Sequence, residues 1–164
     1  MNVHDIIQLK LLPALAECAQ HRQRLDAAWT EAVRFEAFKP IPIDLTLSDA
    51  EVRTLDQLVF RFGRLQDAMG TRLLPALLQL TQEWQDNEPF LDKLNRAEKL
   101  GILPSAEQWQ LLRELRNQTA HDYPAHPELV LANLRLLINH VPMLLAAHQM
   151  LSRKAQQSVA PKTP

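Results

Sequence analysis

One cysteine, one tyrosine, three glycines and an aromatic content of 5% deny this chain the materials of several fold classes. A lone Cys18 cannot close an internal disulfide or build a zinc site by itself, which agrees with a reducing cytoplasm. So few glycines and aromatic residues argue against an all-β fold, which needs many turns and many strand-favouring side chains. No uninterrupted apolar run approaches the roughly 18 to 20 residues of a membrane span, so no membrane role is expected. Met1 to Lys10 lacks the basic-then-apolar layout of a signal peptide. A glycine-rich phosphate loop is also missing, so nucleotide binding of that kind is not expected. The net charge of −1 provides no global footprint for nucleic acid, and any RNA contact must come from local clustering of charge.

What remains is helix-forming composition, rich in Leu, Ala, Gln, Glu and Arg, in 164 residues that are 46% hydrophobic and 23% charged. That is enough chain for one domain with a core. Leu11, Leu15, Cys18, Leu25 and Trp29 share one face of a first helix spanning roughly 5–38, with Pro13 near its start and a polar turn of His21, Arg22 and Arg24 expected to face solvent. Prolines at 40 and 42 break the pattern, and residues 39–47 read as an extended linker laid over the core. Its alternating Ile41, Ile43, Leu45 and Leu47 would also suit an arm reaching a partner subunit.

Ser48-Asp49-Ala50-Glu51 is a capping box, and from it an apolar stripe runs from Val52 to Leu77 at three-and-four spacing. Pro75 should kink or divide that helix near Arg72. Leu-Leu-Pro-Ala-Leu occurs at 11–15 and again at 73–77, too short a match to claim a repeat. A short helix opens at Pro89 and ends at Gly101; Ser105, with Gln108 three residues on, caps the next. A last helix follows Pro127, with a bend at Pro142. The expectation is an all-α bundle of four long helices and one short one, a single domain over 1–157, and a disordered tail at 158–164.

The chemistry concentrates in Arg116-Asn117-Gln118-Thr119-Ala120-His121-Asp122-Tyr123, closed by Pro124. Taken singly, His121 reads as a helix-end cap, Arg116 as a surface charge and Tyr123 as a packing residue. Together they supply a group that can move a proton near neutral pH, a guanidinium that can stabilise charge on phosphoryl oxygens, and an amide that can orient either. Such a set suits RNA cleavage by the 2′-hydroxyl without a metal. His121, Asp122 and His126 lack a further ligand for a metal site. On an ideal helix Arg116 and His121 diverge by about 140°. One copy therefore does not focus both on one atom unless the last turn unwinds, and a symmetric dimer sharing a cleft would resolve this.

This Arg-Asn-x3-His-x-Tyr segment resembles the signature of the HEPN superfamily, in particular the HepT-like ribonuclease toxins and the related substrate-binding partners of nucleotidyltransferases. Ala97 to Leu103 followed by Glu107-Gln108-Trp109 is similar to the short helix, turn and tryptophan that precede the motif there. The resemblance covers roughly residues 1–155, its specificity concentrated in 97–123. It implies a dimeric helical bundle with a metal-independent endoribonuclease site and no cofactor. Arg116 and His121 would be catalytic and Asn117 their polar helper. Tyr123 would be the residue that a cognate nucleotidyltransferase antitoxin modifies with AMP. Arg113 is the first further candidate for RNA phosphate, followed by Arg64 and Arg61. The alternative is a non-catalytic module that docks to a nucleotidyltransferase and presents its substrate. Asp122 within the motif departs from what RNA affinity favours.

Overall fold

The computed structural model describes residues 1–120 and 125–161, and among these are five helices and no strand. The first two helices, residues 3–32 and 49–80, run antiparallel, the start of one against the end of the other. The short helix Phe90–Lys99, the motif helix Ala106–Ala120 and the last helix Pro127–Val159 complete the bundle. The predicted all-α bundle is what forms. Leu58, Phe62 and Leu65 are fully buried on the second helix, each contributing about 1.5–3 kcal/mol. Val52, expected in that stripe, is exposed.

The helix starts follow the local chemistry of their caps. Ser48 accepts from the Glu51 amide at 3.1 Å while the Glu51 carboxylate accepts from the Ser48 amide at 3.2 Å. Ser105 accepts from the Gln108 amide at 3.1 Å, and Glu98 takes the Ala106 amide at the same distance. Gly101 ends the short helix at φ 66°, the left-handed region that glycine enters without cost.

Prolines inside helices are handled in two ways. Pro13 and Pro75 cannot donate to the carbonyls four residues back, and their rings crowd those carbonyls. Each helix widens just before its proline into a π turn, Ile7–Leu11 and Met69–Leu73, in which the Leu12 and Leu74 amides reach Ile7 and Met69 five residues back. The disturbance expected near Arg72 is this widening. The first helix begins ten residues before Pro13, so that proline does not mark its start.

The repeated pentapeptide thus takes the same form twice, and the two π turns pack on one another. Lys10 donates to Gln79 at 2.8 Å and Arg72 to Glu17 at 2.5 Å, a reciprocal pair in which each residue has its counterpart 62 positions on. Pro142 is handled differently. It leaves the Ile138 carbonyl without its helical donor, and the Trp29 indole N–H donates to that oxygen at 2.9 Å.

Three expectations need correction. His21 and Arg22 do not form a solvated turn: His21 is buried and accepts from Arg61 at 2.9 Å, while Arg22 donates to the Leu145 carbonyl at 2.7 Å and to His148 Nδ1 at 3.0 Å. The 39–47 linker does not lie over the core, since Ile41 and Ile43 are 86% and 93% exposed. The last helix continues through Val159, past the expected start of the tail; residues 162–164 lie outside the described residues.

That last helix is also long and apolar enough to cross a membrane by length and composition. Counting uninterrupted apolar runs missed it because Asn133, Arg135, Asn139 and His140 break the run. One face of it, including Leu137, Val141, Leu144 and Leu151, packs into the bundle core.

Candidate functional site

The motif helix is anchored by Trp109, Leu112 and Leu115, which are buried, and this sets where its polar side chains stand. Arg113 and Asn117, four apart, share an exposed face. Arg116 sits 60° round from Arg113 on the other side, three residues on, and turns toward the second helix. There its guanidinium makes a two-pronged pair with Asp67, at 2.6 Å to Oδ1 and 2.9 Å to Oδ2. Gly63, one turn before Asp67, makes the room: a Cβ there would stand 3.2 Å from Arg116 Nε. The Arg116 side chain keeps 33% of its surface exposed and Asp67 keeps 44%.

Description of the motif stops at Ala120. His121 and Tyr123, with Asp122 and Pro124, lie outside the described residues. Thr119, in the last described turn, donates back to the Leu115 carbonyl at 2.8 Å and the Arg116 carbonyl at 3.0 Å.

Arg113 and Arg116 line one side of a cavity of about 290 Å³ between the second helix and the motif helix. Phe90 and Trp109 form its aromatic wall, edge to face with centroids 6.5 Å apart. Gly70 lies where a Cβ would come within 2.9 Å of the Trp109 ring. Gln66, only 3% exposed, lines the cavity as well. Its Nε2 donates to the Trp109 carbonyl at 3.3 Å, and its Oε1 has no partner among the described residues.

The other candidate arginines divide. Arg64 is exposed and lies close enough to His21 to help hold that imidazole below its ordinary pKa. Arg61 is not an open phosphate contact. Its NH1 is committed to His21 Nδ1, and its buried Nε has no partner among the described residues. Arg116 is thereby brought together with Arg113 and a cavity, Asn117 stands on the adjoining exposed face, and Arg64 falls on the shoulder of the second helix. Asp67 and Gln66 were not singled out from sequence. The only signal was the two-turn spacing of Phe60, Gly63 and Asp67 along one face.

Beside Thr119 and Ala120 lies a second, mostly apolar recess of about 500 Å³. Leu47, Val59 and Leu134 line it, and Phe60 stands 55% exposed at its side.

The titrating groups with displaced pKa values lie in the bundle interior. Burial, with Arg22 at 3.0 Å, pushes His148 down to about 4, and its Nε2 lies 3.1 Å from Ser152 Oγ. His21 is lowered by burial and by Arg61. Burial raises Cys18 to about 12, with Glu17 adding to the effect, so this thiol is a packing residue and not a nucleophile. No family model, curated protein or solved structure matches the chain.

Proposed function

We propose that this chain is a HEPN-type toxin, a metal-independent endoribonuclease that acts as a symmetric dimer in the cytoplasm. A cognate nucleotidyltransferase silences it by placing AMP on Tyr123. The observation that carries the reading is the setting of Arg116: a half-exposed guanidinium, held in one orientation by Asp67, beside Arg113 and an aromatic-walled cavity, five residues before His121. A held cation is what a developing phosphoryl charge needs, because no reorganisation is then required at the moment of reaction.

In this reading His121 takes the proton of an RNA 2′-hydroxyl, and the resulting oxygen attacks the adjacent phosphorus. The bond to the 5′-oxygen breaks, that oxygen takes up a proton, and the products are a 2′,3′-cyclic phosphate and a 5′-hydroxyl. Arg116 stabilises the non-bridging oxygens, and Asn117 orients the phosphate or the imidazole. The 140° divergence of Arg116 and His121 on an ideal helix favours a second copy at the cleft. The exposed Phe60 and the apolar recess beside Ala120 supply a face for it. AMP on Tyr123 would bring negative charge and bulk toward this arginine pair, which accounts for silencing.

One observation favours a second reading. The Asp67 carboxylate already neutralises Arg116, as would suit a docking module that presents substrate to a nucleotidyltransferase without cutting RNA itself. Growth inhibition on expression separates the two. The toxin reading expects inhibition by the wild type, none by His121→Ala, and a mass increase of one AMP on Tyr123 when the nucleotidyltransferase is co-expressed. Wild-type protein of unmodified mass that leaves growth untouched would contradict it and favour the docking module.

A further inference from the structure

The cavity beside Arg116 has a feature that helix packing alone does not explain. Gln66 is almost wholly buried, and its amide cannot turn over, because Nε2 must stay toward the Trp109 carbonyl. The orientation leaves Oε1 as a fixed acceptor with no partner among the described residues. Burying an acceptor unpaired is costly, and folded proteins rarely do so without a reason. A donor group arriving through the cavity that Gln66 lines is the partner within reach.

The rest of the lining narrows what carries that donor. Phe90 and Trp109 offer an aromatic wall suited to stacking a flat ring. The volume of about 290 Å³ lies at the low end for ligand pockets and suits one small heterocycle rather than a larger molecule. Arg113 and Arg116 bring positive charge to the same cavity, with the exposed Arg113 unpaired among the described residues. A flat ring with a donor edge and an attached anion is a nucleotide.

We propose that this cavity seats one unpaired nucleotide. Its base lies on Trp109 and Phe90, its exocyclic amine donates to Gln66 Oε1, and its phosphate sits on Arg113 and Arg116. The proposal deepens the ribonuclease reading and rests on it for the direction of Arg116 toward phosphate. It assigns Gln66 a role in specificity: bases carrying an amine at the inward edge, adenine above all, are preferred.

The test measures binding in EDTA, using deoxy oligonucleotides that lack the 2′-hydroxyl and so are not cut by that route. The probes are a deoxyadenosine hexamer, the same hexamer with purine lacking the 6-amino group, an abasic hexamer and free AMP. Wild type should bind the adenine hexamer roughly two- to tenfold tighter than the purine hexamer, the span of one net hydrogen bond. The abasic hexamer should bind more weakly than both. Gln66→Met, close in volume, should abolish the adenine–purine difference, while Arg113→Gln should weaken both hexamers alike.

Equal binding of the adenine and abasic hexamers by wild type would overturn the proposal, as would an adenine–purine difference that survives in Gln66→Met. If Gln66→Met fails to fold by thermal melt, the wild-type comparison decides alone, and equal affinity for the adenine and purine hexamers sinks the idea. AMP binding that matches the adenine hexamer assigns the seat to a free nucleotide, and much weaker AMP binding assigns it to a strand. Base-selective binding by a protein that cuts no RNA would sink the ribonuclease reading and leave the seat standing. RNA cleavage without base-selective binding would do the reverse.

Discussion

Lowering the pH should destabilise this protein through one histidine. His148 is 5% exposed, with Nδ1 accepting from Arg22 and Nε2 facing Ser152. Protonation would bury an imidazolium against a guanidinium, and the folded pKa falls from 6.5 to about 4 as a result of burial and then of Arg22. Between these values the unfolded chain binds more protons than the folded one, so stability rises with pH across that window. The full contribution is present above pH 6.5 and is lost as pH falls toward 4.

From the two pKa values the loss at pH 4.5 is about 2.5 kcal/mol relative to neutral pH. For a chain of this size that corresponds to roughly 5–10 °C in Tm. Other groups titrate over the same range, His21 in the same direction, so the comparison needs a variant. His148→Asn keeps an acceptor in place of Nδ1 and does not titrate. Thermal melts at pH 7.5 and pH 4.5 should show wild type losing about 5–10 °C more than His148→Asn between the two conditions. Equal losses in the two proteins would refute the reasoning.

Three further perturbations follow from specific contacts. Trp29→Phe strands the Ile138 carbonyl left open by Pro142 and should cost about 1–3 kcal/mol in urea unfolding; an unchanged midpoint would mean that the indole bond contributes nothing. Asp67→Asn releases Arg116 from a partly exposed pair, so the stability loss should stay near 0.2–1 kcal/mol. The dependence of RNA affinity on salt should steepen by roughly 0.7 in log–log slope, one added phosphate contact, and an unaltered slope counts against Arg116 as a phosphate ligand. Gly70→Ala drives a Cβ to within 2.9 Å of Trp109, so Tm should fall by an amount equivalent to about 1–3 kcal/mol.

The helices themselves were legible because periodicity and caps are local. Ser48 with Glu51, Ser105 with Gln108, and Gly101 at positive φ each act within a few residues, and each stands where the pattern put it. Pro75 announced a disturbance, but that it would be a π turn facing its twin at Pro13 depended on how two helices meet. Periodicity identifies the apolar face and says little about which polar residues share it. His21 and Arg22 looked like a solvated turn, yet they are satisfied by Arg61 and His148, 40 and 126 positions away. The arm at Ile41 and Ile43 carried the apolar alternation of a covered segment and nonetheless projects into solvent.

At the site, Arg116, Asn117 and Arg113 drew notice from their place in the motif. Asp67, 49 positions from Arg116, and the buried Gln66 did not, because a carboxylate or an amide in the middle of a helix is ordinary until its neighbour across the bundle is known.

Incubation of purified protein with single-stranded RNA in EDTA, beside His121→Ala and Arg116→Ala, tests the central claim most directly. The account predicts cleavage that survives EDTA, leaves 2′,3′-cyclic phosphate ends and disappears in both variants. Wild-type protein of unmodified mass that leaves the RNA intact would contradict it.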